Sequence, residues 1–161
     1  MTSTLKSLCL VFFMTFAAPM VVPFFVGSAW AQAGKFPPLD PEILQKARGK
    51  VAVVFYWSTT CAVCRDSLPE LRANAAGWQN KPFTLVTVNV DPKEADWLAY
   101  EKILLQLRNS APGVTPMRQP LVPAPTKLPI TLVVNSQGAV VARYEGRVAP
   151  EVWDAVADLL P

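Results

Sequence analysis

The strongest constraint on the fold is a short apolar run that two cysteines follow closely. Residues 51–57 (VAVVFYW) are mostly β-branched or aromatic, which is typical of a central strand covered on both faces. Residues 61–64 (CAVC) then begin a stretch, to about Gly77, in which apolar side chains recur at helical spacing. The pattern predicts a buried strand that delivers both sulfur atoms to the N-terminus of a helix.

A helix N-terminus favours an anion, because its first N–H groups have no partner within the helix and the helix dipole is positive there. Cysteines in such motifs have pKa values lowered to roughly 3.5–7.5, so the nucleophilic thiolate becomes available. With two residues between them, Cys64 can reach Cys61 and resolve a mixed disulfide. Two other interpretations stay open: a disulfide that only stabilises the fold, and a two-coordinate Cu(I) site.

The composition excludes several classes of protein. The chain has no histidine, which excludes Ser-His-Asp and Cys-His hydrolases. A zinc site would need two ligands besides Cys61 and Cys64, and the third cysteine, Cys9, lies in the leader described below. A net charge of +3 gives no electrostatic argument for nucleic acid. We therefore expect no nucleic-acid partner and, unless the cysteine pair holds Cu(I), no metal. A reactive dithiol requires no bound cofactor.

Residues 1–31 have the pattern of an export segment. One positive charge, Lys6, precedes an apolar run over residues 8–26, and Ala29 and Ala31 fit the small-residue rule for signal peptidase. The run approaches the length that spans a bilayer, so an uncleaved membrane anchor is the alternative to a cleaved signal peptide. Either way, we expect the rest of the chain to lie outside the cytoplasm.

The remainder divides into a tether with a short N-terminal helix, residues 32–50, and one domain, residues 51–161. Further strands are predicted over residues 83–90, 130–134 and 139–145. Asp91 and the residues after it have helix-opening chemistry, and a last helix begins at Pro150. This order predicts an α/β fold with a central mixed sheet flanked by helices.

Six prolines fall between residues 112 and 129. Proline lacks an N–H donor and has a fixed φ, so this segment is predicted to be an extended loop rather than a strand with ladder hydrogen bonds. The predicted helix from Asp91 and this proline-rich loop together form an insertion before Pro129.

These residues together resemble the thioredoxin-fold thiol-disulfide oxidoreductases, over about residues 51–160. Residues 57–65 (WSTTCAVCR) stand where the family has its active-site turn, and Pro129 stands where it has a cis-proline. The resemblance implies that Cys61 attacks a disulfide, Cys64 resolves the mixed disulfide and Pro129 aligns the partner chain. It also implies a set of substrate-facing residues: Thr60, Ala62, Val63 and Leu128.

The insertion, the leader and the sequence LPELR after the motif are similar to the periplasmic TlpA-like branch of that family. This resemblance implies a periplasmic monomer that reduces disulfides of exported proteins with electrons from a membrane thiol donor. Two alternatives remain. One is a non-catalytic binding module, for copper or within a secretion or conjugation assembly, and the other is a disulfide isomerase.

One departure from the family concerns proton transfer. Phe55 stands where many members have a buried acid that helps to deprotonate the second cysteine. The sequence leaves open whether water or a carboxylate assists Cys64, and it offers three candidate carboxylates: Asp91, Glu94 and Glu101.

Overall fold

The computed structural model describes residues 39–106, 112–123 and 125–161. The predicted leader, residues 1–31, and the tether up to residue 38 lie outside the described residues. No helix within the described ranges is long and apolar enough to cross a membrane.

Helices and strands alternate along the described chain. In chain order they are α1 (Pro41–Ala47), β1 (Val51–Trp57), α2 (Ala62–Gly77), β2 (Phe83–Asn89), α3 (Glu94–Gln106), β3 (Val114–Arg118), β4 (Ile130–Val134), β5 (Val140–Glu145) and α4 (Glu151–Ala157). The strands form one sheet in the order β3-β2-β1-β4-β5. Strand β2 is parallel to β1 and β3, whereas β4 is antiparallel to β1 and β5. The predicted α/β fold with a mixed sheet is confirmed.

The prediction that the proline-rich segment forms no ladder strand was wrong for residues 114–118, which form β3 parallel to β2. The Leu85 N–H donates to the Gly113 carbonyl, and the Gln119 N–H donates to the Asn89 carbonyl. Backbone N–H and C=O groups of successive residues point to opposite sides of a strand. Odd-numbered residues of β3 therefore bond to β2, and the backbone nitrogen of Pro116 points to the outer side. A proline can occupy an edge strand at such a position because no ladder donor is needed there.

The largest cluster of buried apolar side chains lies between one face of the sheet and the helices packed on it. Alternate residues of β1, including Phe55 and Trp57, pack with Cys64 and Leu68 of α2 and with Trp153 of α4. All seven residues of β1 are buried, as predicted for a strand covered on both faces. Burial of this apolar surface is the main force that orders the sheet.

The topology gathers the polar residues of interest at one edge of the sheet. Because β1 and β2 are parallel, their carboxyl ends meet there. The turn that leads to Cys61 follows β1, and Asp91 follows β2. Strand β4 runs the other way, and the pairing of Tyr56 with Ile130 brings its amino end to the same edge.

Candidate functional site

Cys61 and Cys64 form a disulfide, with their Cα atoms 5.2 Å apart. Cys61 is the N-cap residue of α2, and its Sγ accepts a hydrogen bond of 3.1 Å from the Cys64 N–H. Cys64 is completely buried, whereas Cys61 is partly exposed. The residue at the helix N-terminus is therefore partly open to solvent, whereas the second cysteine of the pair is enclosed by protein.

In the turn before Cys61, residues 58–60, both backbone polar groups of Thr59 are hydrogen-bonded to side chains outside the turn. The Thr59 N–H donates to Asp91 Oδ2 at 2.9 Å, and Arg65 Nη1 donates to the Thr59 carbonyl at 2.7 Å. Within the turn, the Cys61 N–H donates to the Ser58 carbonyl at 3.1 Å. Cys61, the N-cap of α2, is thus tied to the end of β1 and, through Asp91, to the end of β2.

Asp91 is 4% exposed and accepts two further hydrogen bonds. The Ser58 hydroxyl donates to Oδ1, and Asn89 Nδ2 donates to Oδ2 at 2.8 Å. Burial alone would raise the pKa of Asp91, but the hydrogen bonds from Ser58, Asn89 and Thr59 outweigh it, so the pKa is lowered. The carboxylate is therefore stable in its ionised form.

The sequence predicted that Asp91 opens a helix, and this was wrong, because α3 begins at Glu94. The side chain of Asp91 bonds instead to the 58–60 turn. Sequence reasoning did not identify Ser58 and Asn89 as members of this network. The available signal was that each polar residue stands at the carboxyl end of an apolar strand pattern.

The other two carboxylates suggested by the sequence have different surroundings. Glu94 is exposed in the first turn of α3. Glu101 is partly buried, and its burial raises the pKa of the carboxyl group, while the nearby Arg72 guanidinium acts to lower it. Asp91, by contrast, accepts a hydrogen bond from the turn that leads to Cys61.

Pro129 lies at the amino end of β4, and the Leu128–Pro129 peptide bond is cis. The pairing of Tyr56 with Ile130 places Pro129 beside the end of β1, at the edge of the sheet that carries the disulfide. Pro129 is buried, and its carbonyl accepts a hydrogen bond of 2.8 Å from the Gly146 N–H.

The side chains around the disulfide are mostly small or apolar. Thr60 and Ala62 are exposed, and Val63 is 46% exposed, so a partner can reach all three. Leu128 is partly buried and packs against the core. Within the described ranges, no group of three or more cysteine, aspartate or glutamate side chains is arranged to hold a metal ion.

Comparison with solved structures identifies the fold. An exposed lipoprotein thioredoxin of Streptococcus pneumoniae matches with a TM-score of 0.59 and 18% identity, covering 72% of this chain and 90% of that one. The thioredoxin domain of a thiol-disulfide oxidoreductase from Bacteroides vulgatus matches with a TM-score of 0.56 and 21% identity, covering 71% and 82%. A thiol:disulfide interchange protein of the thioredoxin family from Chlorobium tepidum matches with a TM-score of 0.56 and 18% identity, covering 71% and 81%. The chain thus has the thioredoxin fold.

A search of curated proteins found no significant match. The model of the AhpC/TSA family, by contrast, matches residues 42–153. This range extends from α1, across the whole sheet and the disulfide, into α4. Because the match includes nearly all of the described fold, we conclude that this thioredoxin-fold redox protein belongs to the AhpC/TSA family.

Proposed function

We propose that the protein is a periplasmic thiol-disulfide oxidoreductase of the TlpA-like type, which reduces disulfides in exported proteins. One observation carries the proposal. Cys61 is accessible at a helix N-terminus and accepts the Cys64 amide N–H, while Cys64 is buried directly behind it. An exposed, N-capping sulfur is suited to attack, because the N–H group and the helix dipole stabilise its thiolate. A buried second sulfur is suited to resolution, because it reacts only within the protein.

The reaction begins with the reduced pair. The Cys61 thiolate attacks one sulfur of the substrate disulfide, so a Cys61–substrate bond forms while the substrate S–S bond breaks. The released sulfur leaves as a thiolate and takes up a proton. Cys64 then loses its proton and attacks Cys61 Sγ, which forms the Cys61–Cys64 disulfide and releases the second substrate thiol. Two electrons pass from the pair to the substrate, whose two sulfur atoms take up one proton from Cys64 and one from solvent.

The oxidised pair must be reduced again before a second turnover. A membrane protein that carries a dithiol would supply the two electrons by the same exchange, so no bound cofactor is needed. The export pattern of residues 1–31 supports a location outside the cytoplasm, where disulfide-containing substrates occur. The similar solved structures, which include a thiol-disulfide oxidoreductase and a thiol:disulfide interchange protein, support the same chemistry.

The exposed rim supports a protein substrate. Thr60, Ala62 and Val63 carry no charge and border the accessible sulfur, and Pro129 lies at the same edge of the sheet. In this proposal the substrate chain lies across Cys61, with Pro129 aligning it and Leu128 beside it. The proposed reaction needs one copy of the chain, since a single copy holds both sulfur atoms, and the proposal is of a monomer.

Trapping tests the reaction. Cys64→Ala removes the resolving sulfur, so we expect covalent complexes between Cys61 and substrate proteins to accumulate in a periplasmic extract. Cys61→Ala is the matched control, because it retains the buried sulfur but loses the accessible one. Recovery of no reducible complex with Cys64→Ala, or of the same complexes with Cys61→Ala, would count against the proposal.

The reduction potential of the Cys61–Cys64 pair tests whether the protein reduces its substrates or oxidises them. A potential near that of thioredoxin, about −270 mV, supports a reductant, whereas one near about −120 mV would identify a disulfide donor. A pair that glutathione buffers cannot cycle would favour the non-catalytic binding module. Isomerase activity together with a dimer in light scattering would favour the disulfide isomerase.

A further inference from the structure

The 58–60 turn is the only covalent connection between the buried strand β1 and the N-cap Cys61, and its conformation determines where the reactive sulfur lies. Hydrophobic packing contributes little to it, because Thr60 is exposed and the other two residues are small and polar. Hydrogen bonds must therefore fix it. Their geometry identifies the residue on which the arrangement depends.

Asp91 supplies acceptors to two successive residues of the turn. Oδ2 receives the Thr59 N–H at 2.9 Å, and Oδ1 receives the Ser58 hydroxyl. The same Ser58 oxygen lies 2.9 Å from Thr60 Oγ1 and accepts the Thr60 N–H at 3.2 Å. The carboxylate thus reaches all three residues of the turn, directly or through one hydroxyl.

Asp91 is itself held in place. Its own N–H donates to Asn89 Oδ1 at 3.0 Å, while Asn89 Nδ2 donates to Oδ2. Arg118 Nη2, from the end of β3, donates to the Asp91 and Pro92 carbonyls at 3.1 Å and 2.9 Å. A rigid group bound to two neighbouring strands is a suitable anchor for the turn.

We propose that Asp91 is a positioning residue for the attack by Cys61, and that it is not the proton acceptor for Cys64. The inference rests on the proposed thiol-disulfide exchange. It assigns Asp91 to the attack by Cys61 and not to the later resolution by Cys64. Both oxygens of Asp91 already accept hydrogen bonds from the turn and from Asn89. A base must instead direct a lone pair at the proton of the thiol, whereas these hydrogen bonds direct the carboxylate to the turn and to Asn89. The lowered pKa of Asp91 agrees with this, since it makes the carboxylate a weak base.

Two substitutions separate the roles. Asp91→Asn keeps the size of the side chain and one oxygen, which can accept from Thr59 and Asn89 while the new amide group donates to Ser58 Oγ. It therefore preserves the turn but removes the charge and the basicity. Asp91→Ala removes all of these contacts. A positioning role predicts that asparagine rescues the function that alanine loses, whereas a base role predicts that neither variant works.

The first measurement is the rate of alkylation of Cys61 by iodoacetamide in the reduced full-length protein. We expect Asp91→Ala to react about tenfold more slowly, because a small displacement of the sulfur weakens its contact with the helix N-terminus. We expect Asp91→Asn to stay within about twofold of the unmodified protein or to react faster, since a negative charge has been removed. Asp96→Asn, an exposed acid in the first turn of α3, is the matched control and should leave the rate unchanged.

The second measurement is the rate at which Cys64 releases glutathione from a mixed disulfide on Cys61. We expect this rate to be the same in Asp91→Asn as in the unmodified protein. Equal slowing of the release in Asp91→Asn and Asp91→Ala, with normal alkylation of Cys61, would overturn the inference and identify Asp91 as the base. Normal alkylation and normal release in Asp91→Ala would also overturn it.

Circular dichroism establishes that each variant is folded. If Asp91→Ala does not fold, Ser58→Ala removes one of the contacts and should slow alkylation by about twofold to threefold; no slowing would contradict the inference. Alkylation does not require a substrate protein, so the test also separates this inference from the proposed function. If Asp91→Ala slows alkylation of Cys61 but the unmodified protein reduces no substrate disulfide, the positioning role is supported and the proposed function is rejected.

Discussion

At the residue scale, Asp91 illustrates how a buried charge is made stable. The carboxylate has lost most of its contact with water, and three donors replace that water: the Thr59 N–H, the Ser58 hydroxyl and the Asn89 amide. A buried carboxylate without such donors would take up a proton. Because the hydrogen bonds favour the ionised form, the pKa of Asp91 lies below its ordinary value.

This lowered pKa has a consequence for stability. The stabilising contribution is present above the pKa of the unfolded chain, about 3.9, and is lost as the pH falls through the lower folded pKa. We expect Asp91→Asn to lower the free energy of unfolding by about 1–2 kcal/mol near neutral pH, since hydrogen bonds to a charged group are replaced by neutral ones. Urea unfolding at a series of pH values should show the difference shrinking below about pH 4. A difference that is constant with pH would contradict this assignment.

At the element scale, β3 shows how an edge strand can carry a proline. The backbone groups of odd-numbered β3 residues bond to β2, so the nitrogen of Pro116 points away from β2. The proline therefore costs the sheet no ladder bond, and it leaves the outer edge with one donor fewer. An edge with fewer free donors is a poorer template for another chain.

We predict that Pro116→Val keeps the fold but increases association between copies, because it restores an outward N–H in a strand of higher β-propensity. Light scattering over a range of concentrations measures this. Thr115→Val is the matched control, since it raises β-propensity at a residue whose N–H faces β2 and adds no donor. Equal association in the two variants would show that the missing donor at Pro116 is not what protects the edge.

At the scale of the whole molecule, the disulfide is a local link. It joins residues with a sequence separation of three, whereas the core extends over β1, β2, β4, α2 and α4. A disulfide that closes so short a loop restricts the unfolded chain little, by about 2 kcal/mol at most in the chain-entropy model. The sheet and its helices should therefore remain folded when the pair is reduced.

The change in the free energy of unfolding when the disulfide is removed distinguishes a redox-active pair from a structural one. We predict that the double variant Cys61→Ser, Cys64→Ser unfolds in urea with a free energy within about 2 kcal/mol of the oxidised protein, while disulfide reduction is abolished. The reduced unmodified protein should unfold like the double variant. A loss of more than about 4 kcal/mol would instead indicate that the disulfide mainly stabilises the fold.

The sequence by itself determined the elements whose causes are local. The β-branched and aromatic run of β1, the cysteine pair at the start of α2 and the order of the strands and helices other than β3 were readable from neighbouring residues. The same holds for the family resemblance, which depends on short motifs around Cys61 and Pro129. Local patterns suffice there because the periodicity of apolar residues reflects the geometry of each element.

Only the tertiary structure decided the role of Asp91 and the place of Pro116. From the sequence, Asp91 was equally suited to open a helix, and the prolines argued against a strand. The contact between Asp91 and Ser58 joins residues 33 positions apart, and it exists because parallel pairing aligns the ends of β1 and β2. The strand at Pro116 exists because β3 lies at the edge, where a missing donor is tolerated. Both outcomes depend on which strands become neighbours and in which register, and no short segment of the chain contains that information.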